Sequence, residues 1–184
     1  MKILISTFLL VFSLSAYSAT VGQYNYGQGG FTLYDADVIN YSGLNIEGSG
    51  LLKDKILGQI EYYNLSDSGF SISLLRIGGA YRFEINPKFD FFAGAFLYSN
   101  GGDGESNSEI ALEAIAKYRF NTELVGEGRI ILVDGDIRLE AMADYSINKN
   151  VSVGGGLGLF DEVTAIEFFA RYHYDSSFWD NTIK

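Results

Sequence analysis

The sequence has no cysteine, one proline and one histidine. Without thiols there is no disulfide framework, no thiolate metal site and no lipid-carrying N-terminal cysteine. Basic residues are scarce. Thirteen Lys and Arg face 23 Asp and Glu, a net charge of −10, which argues against a nucleic-acid partner. Beyond residue 19 no apolar run approaches the roughly 20 residues that a membrane helix needs. What is abundant is glycine, 22 in 184 residues, and aromatics, 15% of the chain. The usual glycine share is about 7%, and a disordered chain carries few aromatics. The length suits one domain.

The first nineteen residues form a separate unit. Met1-Lys2 gives a basic start, and Ile3 to Phe12 is apolar except for Ser6 and Thr7. Ser13, Ser15, Ala16, Ser18 and Ala19 follow as small residues. This order is that of a secretory signal peptide, with cleavage after Ser18 or Ala19. A membrane anchor would need a longer apolar run. The expected organisation is a signal peptide over 1–19, a barrel over 20–174 and a tail over 175–184.

The rest of the chain alternates with period two, the mark of strands with two unlike faces. In Asp136–Ile147, Ile137, Leu139, Ala141, Ala143, Tyr145 and Ile147 oppose Asp136, Arg138, Glu140, Met142, Asp144 and Ser146. Glu109–Phe120 sets Ile110, Leu112, Tyr118 and Phe120 against Glu109, Glu113, Lys117 and Arg119. Val163–Tyr174 sets Ile166, Phe168, Tyr172 and Tyr174 against Glu167, Phe169, Arg171 and His173. Leu75–Ile85 behaves likewise. Asn150–Phe160, Glu123–Val133, Lys55–Asn64 and Val38–Leu52 are looser, and Lys88–Tyr98 is apolar on both faces. Phe70, Ile72 and Leu74 sit out of phase with Leu75 onward. Either a bulge or a strand that starts later accounts for the slip.

Two sets of turn signals separate these segments. One reads Lys53-Asp54, Asn86-Pro87-Lys88, Asn121-Thr122 and Asn148-Lys149-Asn150. The alternate set reads Ser66-Asp67-Ser68-Gly69, Gly101–Glu105, Asp134-Gly135 and Asp161-Glu162. Nine strands follow from Val38 to Tyr174, with a tenth expected within Gln23–Tyr34.

Alternating apolar and charged residues fit two settings. A soluble sandwich turns the apolar face inward. A membrane barrel turns it toward lipid. Length favours the second, because a spanning strand needs about 9–11 residues whereas ordinary strands peak near 5–6. So does aromatic position. Tyr81, Phe83, Tyr118, Phe120, Tyr145, Tyr172 and Tyr174 all end their strands on the apolar face beside the first turn set, as an interfacial girdle would. In hydrocarbon an unpaired strand edge costs several kcal/mol per orphaned group, so the sheet must close. Termini on one side require an even strand number. The expected fold is all-β: a closed antiparallel up-and-down transmembrane β-barrel of ten strands, or eight if Val38–Leu52 is partly loop.

The signal peptide, the aromatic-then-turn units (Tyr81-Arg82-Phe83 before Asn86-Pro87-Lys88; Tyr145-Ser146-Ile147 before Asn148-Lys149-Asn150) and the strand Phe168-Phe169-Ala170-Arg171-Tyr172-His173-Tyr174 resemble the small outer-membrane β-barrels of Gram-negative bacteria. These are the porin-like and OmpA-like barrels. The resemblance covers the mature chain and points to no single member. It implies a place in the cell outer membrane, contact with lipid and lipopolysaccharide, and delivery by the barrel-assembly machinery. Members commonly end on an aromatic residue. Here Tyr172 and Tyr174 match, but Asp175 to Lys184 follow, with Phe178 and Trp179 read as a small periplasmic or interfacial patch.

The inward positions of the later strands carry Glu113, Lys117, Arg119, Glu127, Arg129, Arg138, Glu140, Asp144, Glu167 and Arg171. They are expected to form an interior polar network: a salt-bridged plug, since a barrel of about eight strands has room only for side chains and buried charges must pair, or a polar conduit. Gly154, Gly156 and Gly158 face the same interior and leave space. His173 is expected to point inward at the periplasmic end, paired with a carboxylate. That is the wrong end for a barrel enzyme, so no catalysis, cofactor or metal centre is expected. The outer loops hold Asp35, Asp37, Asp67, Asp103, Glu105, Asp134, Asp136, Asp161 and Glu162 and no Lys or Arg. Divalent cations would have to bridge such a rim to anionic lipopolysaccharide. The loops are short, the longest being Asn100–Ser108. The expected function is a structural or envelope barrel, with a narrow small-solute channel as its extension. The alternatives are a barrel enzyme acting on lipid and a soluble periplasmic barrel holding an apolar ligand.

Overall fold

Strands this long, each apolar on one face, cannot shed their edges in lipid, and the chain resolves this by closing on itself. The computed structural model describes residues 24–36, 39–52, 55–102, 105–161 and 163–174. Its ten strands are β1 (Tyr26–Ala36), β2 (Ile39–Leu52), β3 (Ile56–Asp67), β4 (Phe70–Asn86), β5 (Phe89–Gly102), β6 (Glu105–Arg119), β7 (Leu124–Val133), β8 (Asp136–Ser146), β9 (Val151–Phe160) and β10 (Val163–His173). Each pairs antiparallel with the next, and β10 closes on β1, from Tyr26 opposite His173 to Ala36 opposite Val163. Ten strands close the barrel, so the eight-strand option falls. The signal segment, the tail with Phe178 and Trp179, and Asp37, Lys53, Asp54, Asp103 and Glu162 lie outside the described residues.

The faces follow the alternation. Leu44, Ile110, Ile137 and Phe168 are among many large apolar side chains that lie exposed on the outside, while Glu47, Glu113, Arg129 and Arg171 are buried within. This inverts a soluble protein. The inversion is sensible only where the outer solvent is apolar.

The connections Ser68-Gly69 and Asp134-Gly135 are complete two-residue turns. They adopt positive φ at both positions (45° and 98°; 51° and 87°). That is the hairpin geometry whose twist matches the flanking strands. Asp161, which follows β9, is also at positive φ (46°). The segment read as the longest outer loop, Asn100–Ser108, is mostly strand: β5 and β6 stay paired up to Gly102 opposite Glu105. Pairing of β6 with β7 begins only at Ala111, so the β5–β6 hairpin rises above its neighbour.

The phase slip near Leu74 has a different origin from either expected one. Strand β4 runs unbroken from Phe70, in constant register with β3. The irregularity in its pairing with β5 lies at Glu84/Asn86, beside the proline turn. Ile72 and Leu74 share the inward face with Arg76, so the apolar residues there line the lumen.

Candidate functional site in the barrel lumen

The lumen has three levels, each set by which residue types the inward positions carry. At the end that carries the Asn86–Lys88 and Asn148–Asn150 turns, Leu51, Leu57, Ala80, Phe92, Phe96 and Ile115 form an apolar cluster with Tyr24. Lys88–Tyr98 had looked apolar on both faces for this reason: Phe92 and Phe96 point inward and are almost wholly buried. Tyr24 precedes β1 and stoppers this end. Its ring packs edge-on against Phe92 at 5.5 Å, and its hydroxyl donates to Asp90, which also takes Arg82 Nη2 at 2.9 Å. Burial, and then the bond to the Asp90 carboxylate, push the Tyr24 phenol above its ordinary range. Asn25 Oδ1 accepts from the Leu51 amide at 2.7 Å, fixing the segment in place.

Above lies a belt of charge. Arg129 Nε donates to Glu127 at 2.6 Å, and its other nitrogens reach Glu140 at 3.4 Å and Glu61 and Glu47 at 3.6 Å. Arg76 grips Glu113 with two nitrogens, Nε at 2.8 Å and Nη2 at 2.5 Å, and Nη2 also donates to Gln59 at 3.0 Å. Lys117 meets Glu127 at 2.8 Å. Arg171 bonds Gln28 at 2.6 Å and Asp144 at 3.0 Å, with its guanidinium 4.3 Å from the ring centres of both Tyr26 and Phe169. Tyr26 donates to Glu47 at 2.8 Å. Charged side chains in low dielectric are tolerable only when paired and hydrogen-bonded, and this lattice ties seven strands together across the axis.

The outer level is hollow. A cavity of about 350 Å³ opens outward between Tyr34, Tyr63, Tyr98 and Phe160, with Ile72 and Leu74 on one wall and Glu61, Glu140 and Glu167 toward its floor. Below the belt a second void of about 30 Å³ lies among Asp90, Lys117, Arg119, Asp144 and His173. The belt separates the two.

The residues expected inside fall on all three levels. Glu113, Lys117, Glu127, Arg129, Glu140, Asp144, Glu167 and Arg171 lie in or against the belt. Arg138 sits higher, over the rings of Tyr98 and Phe160 at 5.7 and 5.6 Å. Arg119 sits lower, at the mouth beside the proline turn, donating to the Pro87 carbonyl at 3.1 Å. The expectation missed the contributions of the first half of the chain: Gln28, Asn45, Glu47, Gln59, Glu61 and Arg76. Their signal was present in parity. Asn45, Glu47 and Ser49 alternate with Leu44 and Ile46, and Gln59 and Glu61 with Ile60 and Tyr62.

Tyr81, Phe83, Tyr118, Phe120, Tyr145 and Tyr172 all point outward near the Asn86–Lys88 and Asn148–Asn150 rim, exposed by 41–59%. Tyr81 packs on Phe83 at 5.0 Å and Tyr118 on Phe120 at 4.9 Å. Tyr174 differs: it is half-buried, and its hydroxyl donates to the Ser49 carbonyl at 2.7 Å.

One expectation changes in detail. The space at Gly154 is already taken, because a Cβ there would lie 2.5 Å from the Phe169 ring. Gly156 and Gly158 do border the outer cavity. His173 Nε2 meets the Ser152 hydroxyl at 2.8 Å. A serine beside a histidine is the beginning of a nucleophilic pair, but Ser152 has no accessible surface, so no substrate reaches its oxygen. Among the described residues no group of three or more His, Asp or Glu has metal-binding geometry.

No protein-family model matches the chain, and a search of curated sequences returns no match. Solved structures share the fold. A KdgM porin in complex with disordered oligogalacturonate overlays with TM-score 0.54 at 13% identity, covering 82% of this chain and 99% of that one. A second KdgM porin structure overlays at 0.50 and 11%, covering 80% and 99%. The outer membrane protein OprG from Pseudomonas aeruginosa overlays more loosely, at 0.43 and 10%, covering 82% and 95%. The first two carry the statement that this chain has a porin-type barrel fold.

Proposed function

We propose that this protein resides in the cell outer membrane of a Gram-negative bacterium. There it serves the envelope as a closed-lumen barrel with an outward-facing vestibule, and it performs no catalysis. The observation that carries this reading is the pairing of an apolar outer wall with a buried lattice of ion pairs across the lumen. An apolar wall calls for lipid, and a lattice of this kind obstructs free passage. Insertion by the barrel-assembly machinery and contact with lipopolysaccharide follow from that location. Divalent ions would bridge the acidic rim formed by Asp35, Asp67, Asp134, Asp136 and Asp161.

A second reading is a narrow small-solute channel. It is favoured by the void below the belt, which leaves the ion-paired layer as the obstacle between the two openings. The polyanion of the KdgM complex does not transfer to this chain, whose belt holds more carboxylates than cations.

The test is refolding into lipid, gel mobility with and without boiling, and conductance across a planar bilayer. A heat-dependent mobility shift with no steady conductance is the expected result. Steady conductance would move the assignment to the channel. Absence of a heat shift together with solubility without detergent would defeat the membrane reading itself.

A further inference from the structure

We propose that the outer vestibule is a binding site for a small organic cation, an amine or ammonium carrying an apolar body. The inference rests on the reading of the protein as an outward-opening membrane barrel and adds a ligand class to it.

Volume comes first. About 350 Å³ lies within the range of small-molecule sites, and the opening faces the side from which a solute would arrive. Charge comes next. Among the described residues the belt holds Glu47, Glu61, Glu113, Glu127, Glu140, Asp144 and Glu167 against Arg76, Lys117, Arg129 and Arg171. The deficit of positive charge falls at the vestibule floor. Arg76 makes its short contacts with Glu113 and Arg129 with Glu127, which leaves the floor carboxylates only long ones: Glu61 lies 3.6 Å from each arginine and Glu140 3.4 Å from Arg129. Glu167, only 9% exposed, is held by the amide groups of Gln28, at 2.8 Å, and Asn45. Among the described residues it makes no ion pair. A buried carboxylate with only neutral donors, bordering an open cavity, is a place where a cation is missing.

The walls suit that cation's remainder. Tyr34 stacks on Phe160 at 5.6 Å, and Tyr98 with Ile72 and Leu74 completes an aromatic and aliphatic surface. Aromatic faces attract cations, and here they already do so, since Arg138 lies over both Tyr98 and Phe160. Asp136 and Glu109 at the mouth add negative potential that draws cations inward and repels anions. A bare metal ion is a poorer fit, because half of this surface offers it no oxygen.

The test uses the full mature chain, refolded in neutral-detergent micelles and titrated calorimetrically. The probes are phenethylammonium, neutral 2-phenylethanol and anionic 3-phenylpropionate. The cation should bind at least tenfold more tightly than either analogue. Glu167→Gln and Glu140→Gln should each weaken it by roughly tenfold or more, the size of one charge-assisted hydrogen bond. Glu84→Gln, at the opposite end of β4, should leave it unchanged.

Heat-dependent gel mobility establishes that each variant is folded. If Glu167→Gln fails that check, Glu140→Gln decides, because its side chain is 22% exposed and its arginine contact is long at 3.4 Å. Equal affinity for the cation and the alcohol would overturn the proposal. So would undiminished binding in the folded glutamate variants, or no binding of any probe by folded protein. Such a failure is distinct from failure of the membrane reading, which would appear as loss of the heat shift and of insertion into vesicles.

Discussion

The two ends of the lumen are built from the same ten strands to opposite effect. The half beside the Asn86–Lys88 turn is filled: Phe92, Phe96, Leu57 and Ile115 cluster with Tyr24, and in the belt above them each arginine and Lys117 holds at least one carboxylate. The outer half is hollow, and its aromatic walls stand apart around about 350 Å³. The difference teaches where this barrel keeps its stability and where it keeps its freedom. A filled, ion-paired section holds the cylinder together. The open section above is thereby released from packing duty and is free to bind.

Changes in the filled half should cost most. Arg129→Ala removes the cation that Glu127, Glu140, Glu61 and Glu47 share, leaving Glu61 and Glu47 only long ion-pair contacts, to Arg76 and Arg171, and should destabilise the barrel by about 3–5 kcal/mol, as loss of one partner of a buried pair does. Urea titration of the heat-shifted gel band measures it, and a loss below about 1 kcal/mol would mean the belt behaves like surface charge. Phe92→Ala should cost a similar amount, about 3–5 kcal/mol, through the cavity it leaves. The lipid face comes next. Leu139→Arg, near the middle of β8, should cost about 2–4 kcal/mol in a bilayer, whereas a soluble barrel would accept an exposed arginine there. Smallest is the vestibule. Arg138→Ala removes two ring contacts and should cost roughly 0.5–1 kcal/mol. If it matched Arg129→Ala, the contrast between the two halves would collapse.

How much was legible in the sequence follows the same division. Strands β6, β8 and β10 were plain because charges recur at their inward positions, despite Ile115, Met142 and Phe169, while their outward ones are apolar. The alternation there has strong contrast. Their turns and their aromatic ends were equally clear, so strand number and closure followed. Strands β4 and β5 were obscure because part of the lumen is itself apolar. Phe92 and Phe96 in the lower cluster, and Ile72 and Leu74 on the vestibule wall, erase the difference between the faces. The phase slip near Leu74 was thus a change of lumen character along one regular strand. The belt was half visible. Residues on β6–β10 announced themselves, while Glu47, Glu61 and Arg76 lay in strands whose glycines and polar residues weakened the pattern. Which carboxylate meets which arginine, and the cavity above them, depend on register between distant strands. Periodicity along one strand carries no such information.

The central claim is that the apolar faces meet lipid and the charged faces meet each other. With no native cysteine, single cysteines can be placed in turn at positions 137 to 143 of β8 and labelled with an environment-sensitive fluorophore. The protein is then inserted into vesicles containing a lipid-borne quencher. Quenching should alternate: strong at 137, 139, 141 and 143, weak at 138, 140 and 142. The opposite alternation, or uniform quenching through the strand, would contradict the account.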